Sequence, residues 1–446
     1  MRINLPRPNL FSQVFREVTS AELDSNVHGI ATDSREFKAG DLYIALKGKR
    51  TDGHTFLKEL EIDGCTVALV SEKNNDLTSL KQVIVEDPLT TIGNIANKWR
   101  KQFQVSTLGI TGTNGKTSTK DLVHHIFHPT QTVHATEKNF NTSIGLPLTI
   151  LLQTEKHTIS ILEMGANQPG DISYLCRIAE PTHGLITNIA PAHLEGFGTV
   201  EEIAKEKGEL FQSLEGGIAF VNQADDRIKN LSIAGDKISY GLSPDCDFPA
   251  DIYQEKDGTL TLLINTEEVK TQSCNFSFAK NVLAAAAVAI TMDVEWKTFQ
   301  NRVLSFVPPE GRCQVKQFDD ITVIDDTYNA NLESTIASID YLNAFSKNGR
   351  RFLVFGDMFE LGTHSEIIHE KVGEKCSDAH LDGVFTIGTY TVHTDLRLEN
   401  VEIHKHFKTK DELITQLKNT IRKGDKILFK GSRGMAMETV IQGVFG

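Results

Sequence analysis

An apolar, β-rich run, Ser106–Ile110, passes directly into Thr111-Gly112-Thr113-Asn114-Gly115-Lys116-Thr117 and then into a helical stretch, Ser118–Phe127. Gly-Lys-Thr at such a junction restricts the chain to folds in which a strand of a parallel sheet ends at a helix N-terminus. Glycines let the turn close, its N–H groups converge on an anion, and the helix end adds positive potential. The ligand this predicts is a nucleoside triphosphate, ATP or GTP. Lys116 would reach the β- and γ-phosphates, and the Thr117 hydroxyl would ligate Mg²⁺. Gly112, Thr113, Asn114, Gly115 and Ser118 complete the candidate loop. The match to GxxxxGK[ST] is imperfect, because Ile110 holds the first glycine position and Gly109 lies one residue early.

The remaining chain alternates in the same manner. Leu42–Leu46, Val67–Val70 and Gln82–Val85 read as strands, and Leu89–Phe103 as a helix. Thr158–Glu163, Gly184–Ile189 and Ile218–Val221 continue the middle section. Ile321–Asp325, Phe352–Phe355, Gly383–Ile387 and Lys426–Phe429 follow, separated by helix-length segments. Regular structure breaks near residue 103 and again at Val307-Pro308-Pro309-Glu310-Gly311. The expectation is an α/β protein of three domains. These are residues 1–103, residues 104–309 with a P-loop ATPase-like parallel sheet, and residues 310–446 with a Rossmann-like arrangement.

Composition narrows the function classes. The 446 residues carry 46 Lys+Arg against 59 Asp+Glu, a net charge of −13. That argues against sequence-independent nucleic-acid binding, which needs basic surface to displace counterions. No apolar run approaches the roughly 20 residues that span a bilayer. The start lacks a signal-peptide pattern, and six scattered cysteines form no CxxC pair. A cytoplasmic protein without membrane insertion is expected.

Two residues stand where further strands end. Glu163 closes Thr158–Glu163, and His193 lies just beyond Gly184–Ile189 in Asn188-Ile189-Ala190-Pro191-Ala192-His193. In open α/β sheets, ligands bind beyond the carboxyl ends of the strands, so both would face the phosphate loop and could hold Mg²⁺. Taken alone, Glu163 could equally cap a helix and His193 could be structural.

The sequence resembles the Mur ligases, which form amide bonds at the expense of ATP in peptidoglycan precursor synthesis. The phosphate loop, Glu163-Met164-Gly165-Ala166 and Asn188–Leu194 carry the resemblance in the middle of the chain. Asn139-Phe140-Asn141 with Gly145-Leu146-Pro147-Leu148-Thr149, and Asp325–Asn331, extend it. Gly356–Gly362 and Lys430–Met435 carry it toward the end. Thr32-Asp33-Ser34-Arg35 with Asp52-Gly53-His54 resembles the family's UDP-muramyl-peptide domain. Two departures are visible: Ser277-Phe278 stands where the family usually has His-Asn, and Leu332 replaces a proline after Asn331.

The resemblance implies that the first domain binds a UDP-N-acetylmuramoyl-tripeptide, the second ATP, and the third D-alanyl-D-alanine. A member adding the third amino acid is the alternative. The tripeptide carboxyl would become an acyl phosphate, which the amine then attacks. By the same resemblance, Asn281 contacts adenine, Asp326 the ribose, and Arg312 the phosphates. Ser34, Arg35, Asn139, Asn141, Asn329, Asn331, Lys430 and Arg433 are candidate substrate contacts. Catalysis would fall to Lys116, Lys207, His193 and Glu163. Thr117, Glu163, His193 and Lys207 would hold two Mg²⁺, with Lys207 carbamylated. In the helical stretch Val200–Leu214, Ile203, Leu210 and Phe211 fall at i−4, i+3 and i+4 from Lys207, which sets it on the apolar face. The protein is expected to act as a monomer.

Overall fold

The computed structural model describes residues 1–23, 27–48, 51–192, 194–345 and 348–446. Three sheets follow one another along the chain. The first has five strands in sequence order: Arg2–Asn4, Gly29–Ala31, Asp41–Ile44, Val67–Val70 and Lys81–Ile84. Only its first pair is antiparallel. The helices Pro8–Thr19 and Pro88–Arg100 cover it, with the rings of Phe11 and Trp99 at 6.5 Å. Trp99 is fully buried, and its indole N–H donates to Gln153 O at 3.0 Å. One apolar core therefore runs from the first sheet into the helices of the second.

The second sheet has nine strands. Their spatial order is Glu267–Lys270, Leu260–Ile264, Phe248–Gln254, Asp236–Gly241, Ile218–Asn222, His183–Ile186, Ser106–Thr111, Ile159–Glu163 and Val133–Ala135. Strand Ser106–Thr111 lies between His183–Ile186 and Ile159–Glu163, parallel to both. Its ends are where the chain order reverses, the position at which α/β sheets bind ligands. Helices Lys116–Phe127 and Phe276–Thr291 pack on one face, and Asp171–Ala179 and Val200–Gln212 on the other. The expected strand Gly184–Ile189 stops at Ile186. Thr187 and Asn188 instead serve the phosphate loop: Thr113 N–H donates to Asn188 O at 2.9 Å, and Thr187 Oγ1 to Asn114 O at 2.6 Å.

The third sheet has six strands in the order Gln314–Phe318, Ile321–Asp326, Lys426–Lys430, Arg351–Gly356, Gly383–Ile387 and Ile403–Phe407. Only the first is antiparallel to its neighbour. After Gly383–Ile387, Gly388 takes φ +140°, and the N–H groups of Thr389, Tyr390 and Thr391 converge at 2.6, 2.9 and 2.9 Å on the carboxylate of Asp357. A Cβ at Gly388 would fall 2.2 Å from that carboxylate. Leu332, where proline was expected, is the first residue of helix Leu332–Ala344, capped by Asn331. Proline is tolerated at that first helical position but not required there.

Candidate active site

The phosphate loop is built from two left-handed glycines. Gly112 has φ +145° and Gly115 φ +80°, and a Cβ at Gly112 would sit 2.0 Å from Thr187 Oγ1. Gly115 caps the helix Lys116–Phe127, which starts two residues earlier than expected. Asn281, from the helix Phe276–Thr291, presses on this turn: a Cβ at Gly115 would meet its Oδ1 at 3.0 Å. Lys116 Nζ donates to Gly112 O at 2.7 Å and Thr113 O at 3.2 Å. Burial lowers its pKa, the Glu163 carboxylate opposes that shift, and the nearby Arg312 adds to it. Ser118 follows Thr117 in the first turn of the same helix.

Glu163 ends the neighbouring strand and is 2% exposed. Its Oε1 accepts from Asn141 Nδ2 at 2.8 Å, while its Oε2 is buried with no partner among the described residues. An orphaned carboxylate oxygen in such a place costs stability unless a cation or donor meets it, so the donor set suits Mg²⁺. Lys207, on helix Val200–Gln212, is 5% exposed. Burial lowers its pKa to about 7, repulsion from Lys116 adds to the shift, and Glu206 opposes it. Lys205 is exposed. Lys116 is thus within electrostatic reach of both Glu163 and Lys207, and Asn141 bonds Glu163. His193 lies outside the described residues.

On the side of the third sheet, Arg312 Nη2 donates to Thr117 Oγ1 at 3.1 Å. Its guanidinium lies 3.8 Å from the centre of the Tyr328 ring. Asn329 and Arg433 line a cavity of about 170 Å³ with Ala192, Asn331, Phe359 and Ser432.

Three of the expected ligand contacts are engaged within the chain. Lys430 is 1% exposed and forms an ion pair with Asp326, so its ammonium is turned inward, away from any incoming carboxylate. Asp326 also accepts from Ser338 Oγ at 2.7 Å and Cys313 N–H at 3.2 Å. A ribose contact would have to displace these partners. Asn331 caps its helix through Ser334 N–H, and its Nδ2 donates to Asn114 Oδ1 at 2.7 Å. It clasps the tip of the phosphate loop rather than reaching freely into the cavity.

The sequence reading missed the other half of that clasp. Glu333 Oε2 accepts from Asn114 Nδ2 and Asn188 Nδ2, both at 2.8 Å. Nor did it single out Glu206, whose carboxylate receives Gly170 and Ile172 N–H at 2.8 and 2.6 Å and ties the two flanking helices together. A glutamate beside the key lysine was the available signal. In the first domain, Arg35 donates to Asp33 at 2.9 and 2.6 Å and holds that carboxyl at about 2, well below the usual range. Arg35 is 86% exposed, with Ser34 beside it in the same short turn. Asn139 is exposed in the loop before Asn141.

Comparison with known proteins adds three family profiles in chain order. "Mur ligase family, catalytic domain" matches residues 26–99, "Mur ligase middle domain" 110–289, and "Mur ligase, glutamate ligase domain" 311–433. A UDP-N-acetylmuramoyl-tripeptide–D-alanyl-D-alanine ligase of Synechocystis is 33% identical over 434 residues, covering 95% of this chain and 93% of its own. The enzyme of that name from Escherichia coli is 33% identical, with 94% of both chains covered. A crystal structure of MurF from Acinetobacter baumannii superposes with a TM-score of 0.87 at 28% identity, covering 97% of this chain and 98% of that one. MurF from Thermotoga maritima in complex with ADP gives 0.81 at 30% identity, covering 93% and 96%.

Proposed function

This chain belongs to the Mur ligase family, and from that premise we propose that it is an ATP-dependent ligase joining D-alanyl-D-alanine to a UDP-N-acetylmuramoyl-tripeptide. Relatives bearing that name align along nearly the whole chain, which favours this reaction over addition of the third amino acid. The observation that carries the reading is the crevice itself. A preformed phosphate loop and an orphaned carboxylate oxygen at Glu163 lie across a domain junction from the small cavity at Asn329 and Arg433.

In this reading the first domain, residues 1–103, seats the UDP-sugar end, with Ser34 and Arg35 at its surface. The tripeptide carboxylate reaches the crevice near Asn139 and Asn141. Residues 104–309 hold ATP. Backbone N–H groups of the loop and the end of helix Lys116–Phe127 bind the phosphates, and Lys116 leaves its loop carbonyls for a phosphate oxygen. Asn281 meets the base, and Arg312 bears on the phosphates from the other side. Phosphoryl transfer to a carboxylate asks mainly for alignment and charge neutralisation, and this ring of donors supplies both. Thr117, Glu163, His193 and carbamylated Lys207 would hold one or two Mg²⁺, which neutralise charge on the transferring group. Residues 310–446 present the amine. The Arg433 guanidinium suits the dipeptide carboxylate, and Asn329 its amide. Asp326 and Lys430 are reassigned as the buried pair that shapes that loop.

Among the described residues no helix is long and apolar enough to cross a membrane. We place the reaction in the cytoplasm, carried out by a monomer.

The test is phosphate release and product mass. With ATP and UDP-N-acetylmuramoyl-tripeptide present, adding D-alanyl-D-alanine is expected to raise phosphate release strongly, because an acyl phosphate accumulates little without an amine to trap it. Mass spectrometry should find the pentapeptide product. Equal release with and without the dipeptide rejects the proposal.

Glu163→Ala is expected to lower turnover about tenfold to a hundredfold, with partial recovery at raised Mg²⁺, since removing one ligand weakens ion binding first. Affinity for the UDP-sugar, measured by calorimetry, should not change. Wild-type turnover would reduce Glu163 to a strand-end cap.

A further inference from the structure

The Tyr328 ring has two cationic neighbours. The Arg312 guanidinium lies 3.8 Å from its centroid, and that of Arg433 lies 5.8 Å from the same point. Arg312 leads to the phosphate loop through Thr117 Oγ1, and its Nε is buried with no partner among the described residues. Arg433 leads the other way. It lines the 170 Å³ cavity and donates to Glu438 Oε1 at 2.9 Å. Tyr328 is itself fixed, since its N–H donates to Gly311 O at 3.1 Å. A Cβ at Gly311 would lie 3.1 Å from that nitrogen, so the turn preceding Arg312 packs directly on the residue whose ring faces Arg312.

A guanidinium stacks on an aromatic face through its π-cloud and the ring quadrupole, and the attraction grows when water is excluded. One ring serving two guanidiniums fixes their separation and offsets their mutual repulsion. Each cation is then in place before its anion arrives, which lowers the ordering cost of binding.

We propose that Tyr328 is a positioning residue that couples the nucleotide-phosphate site to the amine-substrate cavity, by holding Arg312 and Arg433 in one register. The proposal rests on the ligase reading above. An anion that orders either arginine also orders the shared ring, so phosphate at one end prepays part of the ordering cost of carboxylate at the other, and the coupling is reciprocal.

The experiment is a double-mutant cycle on Tyr328 and Arg312, read as the KM values for ATP and D-alanyl-D-alanine. Tyr328→Leu is expected to raise the KM for ATP about tenfold, the equivalent of one well-desolvated cation–π contact, and that for D-alanyl-D-alanine about threefold, because Arg433 is exposed. KM for the UDP-tripeptide should not move, and Tyr328→Phe, which keeps the ring, should restore both values to within about twofold. In an Arg312→Met background, which removes the cation, Tyr328→Leu should add little to the ATP effect. Additive effects, or unchanged KM values in Tyr328→Leu, overturn the proposal. Arg433→Met, at an exposed side chain, tests the link from its other end without risk to folding. It should raise the KM for ATP about threefold, although Arg433 bonds nothing in the phosphate loop, and an unchanged value also overturns the proposal. ADP affinity measured by calorimetry on the same variants is independent of amide formation. If wild-type protein makes no pentapeptide, the ligase reading fails, while the Arg312–Tyr328 term is still read from ADP binding.

Discussion

Lys207→Arg is expected to lower turnover by a factor of about 10²–10³, while Lys205→Arg on the same helix leaves it nearly unchanged. Carbon dioxide adds only to a neutral amine, forming the N–C bond of a carbamate and releasing one proton. Burial, with the positive charge of Lys116 nearby, lowers the Lys207 pKa to about 7, so much of the amine is neutral at physiological pH. The product would reverse the charge and set an anionic oxygen donor near Lys116. Arginine keeps length and positive charge but cannot form it. Acidification through about pH 7 should protonate the amine, reverse the carbamate and lower activity. The stability effect of the unmodified amine has a definite sign. Between pH 7 and 10.5 the unfolded chain binds more protons, so stability rises with pH across that window. A carbonyl signal from ¹³C-bicarbonate-treated protein, absent in Lys207→Arg, checks the chemistry apart from activity. Full turnover by Lys207→Arg rules the carbamate out.

Lys116→Ala should cost more, about 10³-fold or above in turnover, because it removes the cation nearest the transferring phosphoryl group. It should act twice. The ammonium satisfies Gly112 O and Thr113 O in the free loop, and its charge also helps lower the Lys207 pKa. Without it, the Lys207 pKa should rise and carbamate occupancy at pH 7 should fall. Its effect and that of Lys207→Arg should therefore combine to less than their product. Single-turnover phosphate release, with ¹³C spectra of each variant, checks both consequences. An undiminished carbamate signal in Lys116→Ala would remove the electrostatic link, and wild-type turnover would remove the phosphate role.

Central strands were legible because they are largely buried on both faces and read as short apolar runs: Ser106–Ile110, Val67–Val70, Lys426–Phe429. The antiparallel extension Phe248–Gln254, Leu260–Ile264 and Glu267–Lys270 was not. Pro249, Asp251 and alternating exposure blur its period. What could be read was placement: the loop from Gly112 to Thr117 and Glu163 lie at strand ends, and Lys207 lies on the buried face of its helix. What escaped was pairing across long separations. Nothing local says that Lys430 will face Asp326, 104 residues away, or that Glu333 will meet Asn114, 219 away. A lysine or asparagine in a turn looks the same whether its partner is a ligand or another side chain.

The Asp357 carboxylate, bound by the three N–H groups after strand Gly383–Ile387, bears on which of the chain's turns can compete for a nucleotide. Beyond a parallel strand, convergent amides of this kind suit a phosphate. Here the occupant belongs to the chain and is present at an effective concentration that a free anion cannot match. The third domain thereby keeps the architecture of a nucleotide-binding fold with its anion seat already filled. A free phosphate arriving at this turn would have to displace an intramolecular competitor, a safeguard that leaves the topology of the sheet unaltered.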